Sequence, residues 1–463
     1  MMEKIKKDVV VVGAGLTGLT TAFHLIRKGL KVQVVERNSH VGGQIRTYRE
    51  NGFIFESGPN TGVISYPEVA ELFAALAPDC ELEIAKEDAK RRLIWKGDRF
   101  HELPSGLISG VKTPLFSLTD KFRILLEPFR PKGTDPDESV ASLACRRLGK
   151  SFLDYAVDPF LSGVYAGNPH TLITRYALPK LYNLEQNYGS FIKGAIAKSK
   201  LPKTERDKLA TKQVFSARNG LDNLPKALAK HIGKDNITLE AGGVTIQPGA
   251  EGQTWLTSFS NSQKIYCIES NYVVTTAGGY CLPDLLPFID TSSLNNISSL
   301  RYVPVIQASV GIDNTKGREF NAFGGLVPSR EKKDILGILF PSACFIERAP
   351  VTGALFSFFI GGSRRPDLFD LSDSELEGLI NRNLHQMLHL PLSIEPTYMR
   401  IFRHKKAIPQ YEKSSGLRFE TIRNLENKYP GLILAGNIQG GIGMADRIRQ
   451  GTEVARSITA TYR

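Results

Sequence analysis

Three glycines carry the first chemistry legible in this chain. Gly13, Gly15 and Gly18 follow an unbroken run of valines at 9–12 with the spacing GxGxxG. With Ala14, Leu16 and Thr17 between them they form a turn whose bare backbone N–H groups suit a pyrophosphate. The first glycine permits the tight turn, the second lets backbone approach the phosphates, and the third lets the next helix pack against the strand. A carboxylate for a ribose hydroxyl is expected about twenty residues on, and Glu36, followed by Arg37, closes a second apolar run at 31–35. Gly42, Gly43, Gln44 and Arg46 then add backbone donors and a bidentate cation. That addition separates FAD from a nicotinamide dinucleotide. A short strand ends in Gly58-Pro59-Asn60-Thr61, a break that lets main chain lie against a flat ring.

The elements that must hold these residues follow from the pattern. Valines without alternation predict a strand buried on both faces of a parallel sheet. Leu16, Leu19, Ala22, Phe23 and Ile26 predict a helix over 16–28 with one apolar face and its N-terminus at the phosphates. An apolar run at 272–277, containing Thr276, returns the chain to that sheet after a glycine pair and Val244. The closing segment is a final strand that breaks at Gly436-Asn437. It then passes Ile442-Gly443-Met444 into a helix over 445–459. Such a glycine-rich helix start carries positive potential. Aimed at the pyrimidine end of an isoalloxazine, it would stabilise the anion formed on two-electron reduction.

Between these halves the character of the chain changes. Helical patterns at 121–128, 139–148, 152–157 and 191–197 are punctuated by Pro and Gly and predict a mostly helical insertion. Strand-like runs at 303–312, 336–340 and 354–360, then a helix over 373–388, predict a mixed-sheet domain. The expected partition is a discontinuous nucleotide domain (1–84, 216–281 and 408–463), a substrate domain (85–100 and 282–407) and the helical insertion (101–215). At 463 residues the chain exceeds what one core serves.

A net charge of +12 favours anionic partners: a carboxylate-bearing substrate or an anionic membrane surface. Nucleic acid is not expected, because the basic residues are dispersed and form no recognition module. Five scattered cysteines without a CxxC pair argue for reduced thiols and no metal cluster. With no signal peptide and no apolar stretch of about 18 residues, the expected location is cytoplasmic, peripheral on the cytoplasmic face of the inner membrane. A homodimer is admitted. There is no HExxH, Walker loop or GxSxG elbow, and no His or carboxylate pair stands out as acid and base.

GAGLTG, Glu36-Arg37, GGQIRT and ESGPNT together resemble the FAD-binding half of the flavin amine oxidase and protoporphyrinogen oxidase superfamily. Residues 158–169 (DPFLSGVYAGNP) and 179–185 (PKLYNLE) are similar to the pattern that marks the protoporphyrinogen oxidases within it. The resemblance covers nearly the whole chain. It implies an α/β fold: a Rossmann-like FAD-binding domain of the glutathione-reductase and amine-oxidase type, a mixed-sheet substrate domain and a membrane-associated helical insertion. It implies Arg92 as anchor for a propionate, with Arg91 competing, and Gly163, Val305, Phe320 and Phe340 as lining for a tetrapyrrole. The implied reaction is oxidation of protoporphyrinogen IX to protoporphyrin IX, by hydride transfer from a meso carbon to flavin N5. Dioxygen reoxidises the flavin and yields hydrogen peroxide. Coproporphyrinogen III is the neighbouring substrate. An amine oxidase would bring an aromatic pair near the closing motif, where Ile438 and Gln439 stand, and a flavin-bearing porphyrin carrier is the non-catalytic alternative.

Overall fold

The unalternating valines belong to strand Glu3–Val12, which lies inside a seven-stranded sheet. The computed structural model describes residues 3–249, 252 and 254–462. Val32–Val35 and Lys264–Thr275 flank the first strand in parallel, and Ile237–Thr238 adds outside Val32–Val35. The far edge of Lys264–Thr275 is shared by two neighbours. Trp255–Asn261 pairs antiparallel along 264–270, and Leu432–Leu434 pairs parallel along 273–275. This sharing brings the closing strand beside the opening one.

Helices Leu16–Ile26 and Met444–Thr461 consequently pack side by side. The Thr17 hydroxyl donates to the Arg447 carbonyl at 3.3 Å and the Thr21 hydroxyl to the Gly451 carbonyl at 3.2 Å. A Cβ on Gly451 would stand 2.6 Å from the Thr17 carbonyl, so glycine is what permits this approach. Val9, Val11, Leu19, Phe23, Met444 and Ile448 share the core beneath them.

A second seven-stranded sheet runs Tyr398–Pro409, Tyr302–Ile312, Ala354–Gly361, Ile335–Leu339, Gly324–Leu326, Arg92–Lys96, Arg99–Glu102. It is mixed: only Gly324–Leu326 and Arg92–Lys96 pair in parallel. One face buries Ile306, Ala308, Val310, Phe356 and Phe358 against Leu376, Leu379, Ile380 and Leu384 of helix Asp373–Leu388. The other face meets a separate two-stranded hairpin, Thr47–Glu50 and Phe53–Glu56, where the Phe53 ring lies against Gly311. The sheet takes in Glu102 and Pro409, so it runs past the expected boundaries at 100 and 407.

The chain between is helical, with Leu107–Lys112, Leu118–Leu125, Val140–Arg147, Asp158–Tyr165, Pro179–Tyr188 and Phe191–Ser199 as its longer helices. A buried ion network ties them. Arg147 donates to Glu127 Oε1 at 2.9 Å and to Glu185 Oε1 at 2.7 Å, and the Phe191 N–H donates to Glu127 at 2.9 Å. No described helix is long and apolar enough to cross a membrane.

Candidate functional site

The opening turn is built by contacts that only glycine allows. Gly13 takes φ +107°, and a Cβ on Gly18 would stand 2.0 Å from the Gly13 carbonyl. Gly15 differs: a Cβ there would meet nothing within 4 Å, so its backbone faces open space at the helix N-terminus. That is the geometry of a phosphate cradle. Glu36 is buried and held through both oxygens, by the Ala14 N–H at 2.7 Å and by the Asn38 N–H and side-chain amide at 2.9 and 2.8 Å. A carboxylate has lone pairs to spare beyond these for ribose hydroxyls. The Gly42 N–H donates to the Ala14 carbonyl at 2.8 Å, and a Cβ on Gly43 would stand 3.5 Å from Gly15 Cα. The second glycine pair therefore lies on the first.

The remaining expected cofactor residues take these places. Leu16 and Thr17 are buried, so they present backbone N–H groups and not side chains. Gln44 and Arg46 are exposed, with the Gln44 carbonyl against Gly58 and the Arg46 guanidinium 5.6 Å from the Tyr48 ring. Arg37 lies beside the Cys281 thiol. The Thr276 hydroxyl sits 3.2 and 3.3 Å from the Val12 and Gly13 carbonyls. Val244 packs onto the core that holds Val12, Val35 and Ala241.

The segment after Glu56 is clamped to the second sheet. Gln307 donates to the Glu56 carbonyl, and a His404 ring nitrogen contacts the Ser57 carbonyl. Asn60 donates to the Gly58 carbonyl at 3.0 Å and accepts from the Ser357 hydroxyl at 3.0 Å. Pro59 and Thr61 flank it, half-buried. The Glu56 carboxyl accepts from the Leu221 N–H at 2.9 Å and the Thr47 hydroxyl at 2.6 Å. Burial nevertheless pushes it up to about 7.

In the closing segment Gly436 takes φ +88° against the Thr276 carbonyl, and the Asn437 side chain accepts from the Tyr302 hydroxyl at 3.1 Å. Gly443 is the N-cap of Met444–Thr461, and Met444 is buried beside Gly62 and Phe215. Ile442 packs on the cluster that holds Leu161 and Tyr165, as does Ile408, which brings the insertion to the closing turn.

The expected substrate residues divide. A Cβ on Gly163 would stand 2.5 Å from Leu326, and the Gly163 carbonyl, in the last turn before left-handed Ala166, accepts no hydrogen bond from beyond its helix among the described residues. Val305 packs with Ala166, Leu336, Phe359 and Ile408. Arg92 and Ile94 share one face of their strand, and Ile94 packs with Leu326 and Tyr155. Arg91 is paired with Glu102 at 3.0 Å, whereas Arg92 has no carboxylate partner among the described residues and stacks 5.8 Å from the Phe323 ring.

Phe320 and Phe340 stand elsewhere. Both pack on Phe356, at 4.8 and 5.4 Å between centroids, in the core under helix Asp373–Leu388, and Phe340 is only 3 % exposed. Successive strand residues point to opposite faces, so an offset of one residue moves a side chain to the other side of a sheet. Leu339, one residue back, is the residue paired with Gly324 beside Arg92. Leu326, Leu336, Phe359 and Ile408 were not singled out by sequence, since each is an ordinary apolar residue in an apolar run.

The model of the flavin-containing amine oxidoreductase family matches residues 16–459. The chain is 31 % identical to protoporphyrinogen oxidase 2, chloroplastic/mitochondrial, of Arabidopsis thaliana, covering 97 % of this chain and 93 % of the relative. It is 30 % identical to protoporphyrinogen oxidase of Homo sapiens, over 98 % of this chain and 99 % of the relative. Among solved structures it is similar in fold to a chain from Exiguobacterium (TM-score 0.80, 23 % identity, 99 and 100 % covered) and to cyclohexylamine oxidase from Brevibacterium oxydans (TM-score 0.68, 15 % identity, 98 and 99 % covered).

Proposed function

The chain belongs to the flavin-containing amine oxidoreductase family and takes FAD as cofactor; on that premise we propose that it oxidises protoporphyrinogen IX to protoporphyrin IX with dioxygen as acceptor. FAD, when bound, would supply the hydride-accepting and dioxygen-reducing chemistry. Gly15, at the open start of the first helix, would receive its diphosphate, with Gly13 and Gly18 shaping the turn; Glu36, held by the Ala14 N–H, would take its ribose, and Gly43 and Arg46 would add donors. Gly58 to Thr61 would lie along its ring, and residues 436–444 would take the pyrimidine end.

The observation that carries the substrate reading is a free guanidinium at the rim of an apolar wall. Arg92 stands two residues, roughly 7 Å, along its strand from Ile94, which packs on Leu326 against Gly163. A flat apolar molecule with a carboxylate at its edge fits that arrangement. The Gly163 carbonyl offers an acceptor to a pyrrole N–H, and Val305 with Leu336 and Ile408 extends the wall toward Ile442. These residues orient and exclude water, so few proton-transfer side chains are needed. Against an amine oxidase, Ile438 is fully buried and the Gln439 side chain turns inward to the Leu434 carbonyl at 2.7 Å.

Oxygen consumption with protoporphyrinogen IX and coproporphyrinogen III side by side, read by porphyrin fluorescence, tests this reading. Faster turnover of the first is expected. Preference for the second reassigns the substrate, and flavin left oxidised by both under anaerobic conditions makes the protein a carrier.

A second reading concerns the insertion. Ile108, Val111, Leu118, Phe122, Leu125 and Phe129 are exposed, Phe129 at 81 %, with Lys112, Arg123, Arg130 and Lys132 among them. Apolar side chains rimmed by cations suit an anionic lipid surface. Attachment there, on a cytoplasmic membrane face, is the location that follows.

A further inference from the structure

The loop 437–441, which leads to the closing helix, is held from behind by three buried side chains. The Tyr411 hydroxyl lies 3.0 Å from both the Asn437 and the Gly441 carbonyls and accepts from the Gly441 N–H at 3.2 Å. Arg418 Nε donates to the Ile438 carbonyl at 2.9 Å, and Arg447 Nη2 donates to the Gln439 carbonyl at 2.9 Å. In a trans peptide the carbonyl and the next N–H point in opposite directions. Holding the carbonyls of Asn437, Gln439 and Gly441 therefore turns the N–H groups of Ile438, Gly440 and Ile442 the other way. Among the described residues none of these three has an acceptor.

The two arginines are unusual in their company. Arg418 is fully buried and Arg447 is 9 % exposed, yet neither has a carboxylate within ion-pair distance among the described residues. The other partners of Arg418 are the Ser415 hydroxyl and the rings of Tyr411 and Phe419, with Nη1 unpartnered. Arg447 donates also to the Gln450 side chain, and its Nε is unpartnered. The nearby Asp446 is engaged in accepting from the Gly443 N–H at the helix cap. Buried charges are ordinarily paired, and a guanidinium stays protonated in a protein. Two fixed positive charges with no carboxylate in contact thus stand behind one loop, Asp446 and Glu412 acting on them only at longer range.

We infer that Arg418 and Arg447, with Tyr411, are positioning residues that raise the reduction potential of the bound flavin. The inference rests on the FAD reading and on the closing loop meeting the pyrimidine end of the ring. A hydride brings two electrons and one proton from the substrate carbon, which is oxidised, so the flavin gains one negative charge. The outward N–H groups and the two guanidiniums stabilise that charge, and no proton is taken up by the chain.

The test is the flavin midpoint potential of the holoprotein, titrated against a reference dye. Arg418→Met and Arg447→Met should each make two-electron reduction at least about tenfold less favourable, about 30 mV for this couple, while Arg418→Lys stays close to wild type. Tyr411→Phe, which keeps both charges, should loosen FAD retention more than it moves the potential. Met variants that retain FAD and keep the wild-type potential overturn the inference, and so does Arg418→Lys falling as far as Arg418→Met. Should Arg418→Met lose the cofactor, Arg447→Gln gives the same two readings at the less buried site. Failure of the wild-type chain to bind FAD would instead remove the cofactor reading itself.

Discussion

At the scale of single residues, Glu56 and Arg92 show how environment sets what a charge does. Burial raises the Glu56 carboxyl from 4.5 to about 7 against the opposing pull of the Leu221 N–H and Thr47 hydroxyl. The folded state therefore holds a proton that the unfolded chain releases over that interval. The contribution is fully present below about pH 4.5 and is lost as pH rises through about 7, at most about 3 kcal/mol. Glu56→Gln should flatten the decline in urea midpoint between these limits; an unaltered slope would assign it to other groups. Arg92 is exposed and free, so its energy is available to a ligand. Arg92→Ala should raise KM for the porphyrinogen by roughly tenfold or more, the worth of a charge-assisted hydrogen bond. Flavin reduction at saturating substrate should keep its rate. Unchanged KM in steady-state assays would leave Arg92 without an anchoring role.

At the scale of elements, the strand, turn and helix at the N-terminus separate folding from binding within five residues. A Cβ on Gly18 collides with the Gly13 carbonyl, whereas one on Gly15 meets open space. Gly18→Ala should therefore destabilise the apoprotein by about 1–3 kcal/mol through overpacking. Gly15→Ala should leave apoprotein melting unchanged yet abolish FAD retention, because its methyl would enter the open space proposed for the diphosphate. Equal losses of stability in both would show that Gly15 serves the fold. Gly451 plays the corresponding part between the two helices, where the chain closes on its own beginning.

At the scale of the molecule, the hairpin around Phe53 and the segment 56–60 pack on the second sheet, and the insertion meets that sheet through Gly163 at Leu326 and the closing turn through the cluster of Tyr165 and Ile442. The insertion also carries exposed apolar side chains. Sedimentation with anionic vesicles at low salt should carry the protein down, and replacing Phe122 and Phe129 with Ser should weaken binding without affecting FAD content. Equal recovery with neutral vesicles would discard the electrostatic part of this reading. Full retention in the supernatant would discard it entirely.

Sequence by itself determined the opening glycine turn and its carboxylate. Gly13, Gly18, Glu36 and Gly436 are readable because their requirements are local: a positive φ, a missing Cβ, or a carboxylate at a set distance along the chain. The long runs at 302–312, 354–361 and 373–388 were likewise legible as elements, since their periodicity is a property of consecutive residues. Only the tertiary structure decided which side chains share a wall. Phe340 and Leu339 are neighbours in sequence and opposite in space, and the pairing of Gly324 with Arg92 joins strands more than two hundred residues apart. Nor could any local pattern bring Tyr411, Arg418 and Arg447 to one loop. A buried arginine is written like any exposed one, and only packing reveals that its charge has been left without a partner.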